Sequence, residues 1–457
     1  MRILFLENRY QTYFWAEIAQ RLIKVGHTVH WIVQNHAFAP TSGIVHGIPY
    51  PSASAFESRD IPADLLRVSQ SDRNVNYFGG NLRHYPYYRQ AIVGILDAVN
   101  PDVIYGETTL FHELLTLAAA RERNIPYLQP TTTRYPSGRF SFYLYDTLYP
   151  FGGSGEQLAD QQADALVEGI VGRKTVPDYM IKPVRASRWR EYKRQAFDRL
   201  RITQSYLSGE RFNTPHPMRK MQLQRELASR LADWERLTRT HSPQPGRFTV
   251  LYPMQLQPEA NLDVWGKKHR RQELLLRAMH AATDRQTQIV VKANPKAKYE
   301  MSAELLCAIA ECDRLIPLPL DSSMCSIFPT ADLIATVTGT VAIEATLAAK
   351  PVVTFVRTPW NDNPGCRFIE SPERIADAVC QVRDQSFPLN SARDNRRFLQ
   401  NIVATSYRGL TSAPFHVPKA AEPENLNLVY QAFVDVLAKL QAESVAGLQM
   451  AVSGRGV

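Results

Sequence analysis

The residues of this chain best suited to chemistry stand in three polar stretches, each following a short apolar run. Gln255 and Glu259 lie in PMQLQPEAN, after the run 248–252. Lys292 closes the run 288–292, and Asn294 follows two residues later. Thr338, Gly339 and Thr340 follow the β-branched run 333–337, with Glu344 five residues beyond Gly339. A glycine-bearing turn that opens a helix presents backbone N–H groups and the positive end of the helix dipole, which suit a phosphate. A lysine at a strand end adds a cation. A carboxylate can accept the hydroxyls of a ribose or face an electrophilic carbon, and Glu344 suits the first of these roles or that of a solvated first-turn acid. Together the three stretches offer what a nucleotide-sugar site needs: donors for the phosphate, an acceptor for the ribose and a carboxylate near the anomeric carbon.

The elements that must hold these residues read as α/β. The segment 331–355 alternates as strand, turn, alanine-rich helix and strand, a βαβ unit that brings a helix start to the carboxyl end of a parallel sheet. Residues 1–155 repeat the alternation: strands at 3–7, 28–33, 101–105 and 125–128, with helices at 14–25, 87–99 and 110–123. That pattern predicts a first Rossmann-like domain with an all-parallel sheet, and an irregular stretch over 36–76. Its strand ends offer Arg9 and Glu107, and the loop 131–139 offers Arg134 and Arg139, as groups for an acceptor or an anion. Residues 156–245 read as a strand-poor helical insertion and 246–420 as a second Rossmann-like domain. A terminal helix at 421–442 and a flexible tail at 443–457 complete the expected organisation. The glycine-rich run 151–155 lacks the Lys-Ser/Thr end of a phosphate loop and reads as a linker.

The 457 residues are enough for two or three domains with proper cores. No apolar run reaches the length of a membrane span, and MRILFLENRY enters a strand rather than a signal peptide. Five cysteines without a CxxC pair point to a reducing compartment, so a cytoplasmic location is expected. The net charge of +9 is uneven, with 14 Lys or Arg against 6 Asp or Glu over 184–241. That segment suits anionic lipid, an anionic polymer or nucleic acid, or is a solvated helical face.

The motifs YPMQLQPEA, VKANP and VTGTVAIEA, in this order, resemble the bacterial capsule polysaccharide biosynthesis glycosyltransferase family, which includes the retaining β-Kdo transferases. The resemblance covers roughly 247–437 and implies a GT-B fold, with the acceptor bound by the first domain and the donor by the second. It implies that Glu259 takes the place of the family's catalytic carboxylate. Gln255, Lys292, Thr338, Gly339 and Thr340 would hold the donor phosphate, and Glu344 the ribose. CMP-Kdo is among the donors it suggests. It implies no metal, no DxD motif stands out, and no cofactor is expected. The partners expected are a nucleotide-sugar donor, a glycan or lipid-linked glycan acceptor and the anionic face of the inner membrane, with no nucleic acid.

One departure bears on mechanism. The family reads Lys-x-His-Pro where this chain has Lys292-Ala293-Asn294-Pro295. Asn294 can donate a hydrogen bond to a leaving phosphate but cannot supply a proton near neutral pH. No substitute acid is evident in the sequence. The alternatives to a transferase are a non-catalytic binding protein of the same fold in surface polysaccharide assembly, and a sugar-nucleotide epimerase.

Overall fold

The structure is a computed structural model, and it describes residues 1–52, 61–178 and 188–442. The expected tail at 443–457 lies outside the described residues. Strands run in chain order as β1 (Arg2–Leu6), β2 (Thr28–Val33), β3 (Ile44–Gly47), β4 (Val103–Tyr105), β5 (Tyr127–Thr132), β6 (Arg139–Leu144), β7 (Phe248–Pro253), β8 (Thr287–Lys292), β9 (Leu315–Pro317), β10 (Leu333–Thr336), β11 (Val352–Thr354), β12 (Cys366–Phe368) and β13 (Tyr407–Arg408). They form two sheets, one in each of two compact units.

The first unit comprises 1–158, 175–217 and 400–457, as far as these are described. Its sheet has the order β13-β6-β5-β4-β1-β2-β3. From β5 to β3 every pairing is parallel, while β6 and β13 are antiparallel additions at one edge. The expectation of an all-parallel sheet is therefore corrected. The turn joining β5 to β6 is too short for a crossover, so the chain can only fold back as a hairpin. The stretch 36–76 is also more ordered than its composition suggests, holding β3 and the helices Ala63–Ser69 and Arg73–Tyr77. Aromatic rings from several elements meet in the core. The Phe433 ring, from the terminal helix Pro423–Ala442, lies 4.6 Å from Tyr105, 4.9 Å from Phe142 and 6.0 Å from Phe5.

The second unit comprises 159–174 and 218–399. Its sheet, β12-β11-β10-β7-β8-β9, is parallel throughout. Val250, Ile289, Leu333 and Val353 are buried, as central parallel strands covered on both faces require. In both sheets the strand order reverses beside the unit's first strand, between β1 and β4 and between β7 and β10. These are Rossmann-like sheets, and the fold class expected from the sequence is observed. Ligands of such sheets bind where the order reverses, outside the carboxyl ends of the strands.

Contacts divide the chain differently from the sequence-based boundaries. The helices Asp160–Val171 and Pro217–Thr240 belong almost wholly to the second unit, and the helix Arg188–Leu207 to the first. Residues 400–442 return to the first unit, where β13 pairs with β6. Trp234 illustrates the cause: it is buried in the second core, and its indole N–H donates to the Leu318 carbonyl (2.9 Å). Among the described residues no helix is long and apolar enough to cross a membrane.

Candidate functional site

At the reversal in the second unit, the loops after β7 and β10 meet. Gln255 spans the gap. Its amide is satisfied when the oxygen accepts from the N–H groups of Thr338 (2.7 Å) and Gly339 (2.6 Å) and the nitrogen donates to Thr338 Oγ1 (3.3 Å). Thr338 is fully buried and donates to the Asn261 carbonyl (2.9 Å). Gly339 has a steric reason: a Cβ there would stand 2.6 Å from Thr336 Oγ1. The Gln255 backbone is held in turn by Gln272, whose Oε1 accepts from the Gln255 N–H (3.0 Å) and whose Nε2 donates to its carbonyl (2.9 Å). Two adjacent N–H groups thus converge on one oxygen-sized position, at present taken by a side-chain amide.

Glu259 is exposed and stands at the start of the short helix Ala260–Asp263. Its Oε2 accepts from Asn261 Nδ2 (3.3 Å). Beneath this loop lies Glu300, a residue the sequence reading did not single out. Glu300 is buried, and its Oε2 accepts from the N–H groups of Gln257 and Lys298, each at 3.1 Å. Burial pushes its carboxyl up to about 7, with the nearby Glu259 charge acting in the same direction and the N–H donors opposing. It is a buried acid whose titration is moved into the neutral range. The signal that could have found it is a lone acidic residue in a loop facing a second acid, which no spacing rule picks out.

Lys292 and Asn294 are engaged within the protein. The Lys292 ammonium is buried and donates to the carbonyls of Ala293 (3.1 Å) and Leu320 (3.3 Å). Burial holds it below the usual ammonium range, partly offset by Asp321. Asn294 Oδ1 accepts from the Lys296 N–H (2.9 Å), closing a local turn. In this arrangement Lys292 straps the end of β8 to residue 320.

Glu344 is not a solvated first-turn acid. It is mostly buried on the helix Val341–Leu347, and its Oε2 lies 2.9 Å from Arg173 Nη2. The Arg173 guanidinium also covers the Phe328 ring at 5.7 Å. Arg173 has φ of +52°, a left-handed conformation, just past the helix Asp160–Val171. The pair fixes the orientation of the Glu344 carboxyl group, as a hydroxyl acceptor needs.

In the first unit the reversal lies between β1 and β4, and the structure brings Arg9 and Glu107 to it. Asn8 Nδ2 donates to Glu107 Oε2 (3.2 Å) and Glu113 Oε1 (2.9 Å). Burial, then the Glu113 carboxylate, push the Glu107 carboxyl up to about 7. Buried Glu7 accepts from the N–H groups of Arg9 (2.6 Å) and Asn35 (2.9 Å), and Arg9 Nη2 donates to the Asn213 carbonyl (2.6 Å). Arg134 and Arg139 lie away from this crevice, on the β5–β6 hairpin. Arg134 is buried at φ of +73°. The Arg139 guanidinium is engaged within the first unit. Its Nε donates to Ser406 Oγ (2.8 Å), its Nη1 to Glu156 (2.8 Å) and its Nη2 to the Val403 carbonyl (2.9 Å), all within the first unit. A cavity of about 910 Å³ opens at the other end of the second sheet, against Phe248, Gln288, Asp332 and Arg383, remote from the loops that carry the candidate residues.

A scan against models of protein families finds no match, and a search among curated proteins finds none. Solved structures give distant likenesses. A β-Kdo 2,4 transferase, KpsC, from Thermosulfurimonas dismutans is 12% identical with a TM-score of 0.35, over 73% of this chain and 87% of that one. A UDP-N-acetylglucosamine 2-epimerase from Rickettsia bellii is 12% identical with a TM-score of 0.28, over 99% and 98%. The glycotransferase of kitacinnamycin is 14% identical with a TM-score of 0.24, over 88% and 96%. Likenesses of this size identify no activity.

Proposed function

We propose that the chain is a nucleotide-sugar-dependent glycosyltransferase of GT-B type, acting on a capsule or lipopolysaccharide glycan at the cytoplasmic face of the inner membrane. The observation that carries the reading is the paired N–H groups of Thr338 and Gly339 at the β7–β10 reversal, on the same strand-end crevice as the loop bearing Glu259. A donor phosphate oxygen would take the position of the Gln255 amide oxygen, and Glu344, fixed by Arg173, would accept the ribose hydroxyls. Glu259 is the nucleophile in this reading. It attacks the anomeric carbon as the bond to the phosphate breaks, and the glycosyl ester is then opened by an acceptor hydroxyl, with net retention. The acceptor is assigned to the first unit, at the crevice of Arg9 and Glu107.

Thermal unfolding with CMP, UDP, GDP and ADP is the first test, since a ligand of the folded state raises its melting temperature. A shift with CMP favours a Kdo-type donor, and a shift with UDP or GDP keeps the transferase and removes Kdo. The variant Glu259→Gln is expected to keep that nucleotide shift while donor turnover falls by about a hundredfold or more. Retained turnover refutes the role given to Glu259. The second reading, a non-catalytic binding protein, is favoured by one observation: Lys292 is spent on carbonyls, and Asn294 stands where an acid is expected. Nucleotide binding without turnover of any donor would support it.

A further inference from the structure

The helix Arg188–Leu207 is amphipathic in the wrong sense for a helix packed on a globular unit. Its inward face is polar and charged. Arg201 lies over the rings of Tyr13 (5.6 Å) and Phe38 (5.3 Å), and Arg194 over Phe415 (5.7 Å). Asp198 faces the Tyr10 hydroxyl, and Ser205 is buried. The outward face carries four large apolar side chains, with exposed Thr203 and Gln204 between the last of them. Trp189, Tyr192, Leu200 and Leu207 are 64%, 63%, 66% and 76% exposed. At about 100° per residue Trp189, Leu200 and Leu207 fall within roughly 20° of one line, with Tyr192 beside it. This stripe runs almost the whole length of the helix.

Exposed cations flank the stripe on both sides, Lys193 on one and Arg199 on the other. Lys193 Nζ sits 5.3 Å above the Trp189 ring, and that ring stacks on Tyr192 at 6.1 Å. The helix carries six Lys or Arg against two acids in sequence, and Asp198 is turned inward. An aromatic and leucine ridge edged by cations has the chemistry of an interfacial helix. The apolar side chains enter the headgroup and acyl boundary, and the lysine and arginine stems reach back to the phosphates.

We infer that the outward stripe of this helix docks the protein on a bilayer containing anionic phospholipid, with Trp189, Leu200 and Leu207 inserted and Lys193 and Arg199 on the headgroups. The surface is read from the helix itself and stands whether or not the chain transfers a sugar.

The test is sedimentation of the full chain with vesicles of phosphatidylglycerol and phosphatidylethanolamine, and with vesicles of phosphatidylcholine alone. Binding is expected to the first and to be at least about tenfold weaker on the second. Trp189 is the exposed one of the six tryptophans, so its emission should shift to the blue on binding and be quenched by brominated lipid. The triple variant Trp189→Ala, Leu200→Ser, Leu207→Ser should bind about tenfold less, and the double variant Lys193→Gln, Arg199→Gln several-fold less, with unchanged melting temperatures because these side chains are exposed. Inorganic phosphate at millimolar level should not compete. Three results would overturn the proposal: wild-type protein that stays in solution, a triple variant that binds as well as wild type, or a dimer in solution that the triple variant dissociates. Nucleotide-induced stabilisation, measured on the same variants, should be intact, so a failed donor reading and a failed membrane reading give different outcomes.

Discussion

Glu300 shows what single residues add to the site. Its carboxyl is raised to about 7 in the folded protein against roughly 4.3 in an unfolded chain. The native state therefore holds a proton that the unfolded state releases between these values. The associated stability is fully present below the unfolded value and is lost as pH rises through about 7. Replacing Glu300 by Gln keeps an acceptor for the Gln257 and Lys298 N–H groups and removes the titration. The melting temperature of that variant should exceed that of wild type by about 5 °C at pH 8, and the gap should close towards pH 5. A gap that is constant across this range would mean that Glu300 does not titrate in it. Glu300 could not be read from the sequence, because its partners are backbone N–H groups set by a loop. The internal bonds of Arg139 were illegible for a related reason. A loop arginine among hydroxyls looks like an anion site until Ser406 and Val403, distant in sequence, are seen to take its donors. The TGT turn was legible because glycine and hydroxyl residues after a β-branched run have few other uses.

At the scale of elements, the buried parallel strands were legible as continuous runs of Val, Ile and Leu, and the three helices over 160–240 as long polar periodic segments. The edge strands were not. β13 has two residues, and its pairing with β6 is created by contacts far along the chain. The glycine run read as a linker turns out to be a seat for that return. Gly155 N–H donates to the Ala404 carbonyl (2.9 Å) and Ser154 N–H to the Ser406 carbonyl (3.3 Å). Gly153 has φ of +150°, and a Cβ on it would stand 2.3 Å from the Ala404 oxygen and 2.4 Å from Thr405 Cα. Both contacts are with backbone, so no side-chain rotation relieves them. Gly153→Ala should destabilise the first unit by about 2–4 kcal/mol in denaturant unfolding, whereas Gly155→Ala, where the space is open, should cost less. Equal effects would show that the seat is not what requires glycine at 153.

Across the whole molecule the chain is discontinuous: each unit is built from separated segments, and the last described helix closes the first unit rather than the second. Two cores of this kind can unfold separately, so a single melting temperature need not describe the protein. The terminal helix contributes Val429, Phe433, Val436 and Leu437 to the first core, and Phe433 alone touches the aromatic side chains of Phe5, Tyr105 and Phe142. Removing residues 423–457 strips that core of its covering helix at a cost of several kcal/mol, since each buried large apolar side chain contributes about 2 kcal/mol. The nucleotide site is assigned to the second unit, whose segments end at residue 399. The truncated chain should therefore lose the calorimetric transition of the first unit and keep a transition that rises with the nucleotide found active on the full chain. Loss of both transitions would show that the second unit does not fold without the first. A surviving transition that no longer responds to nucleotide would move the binding site off the β7–β10 reversal as an independent element.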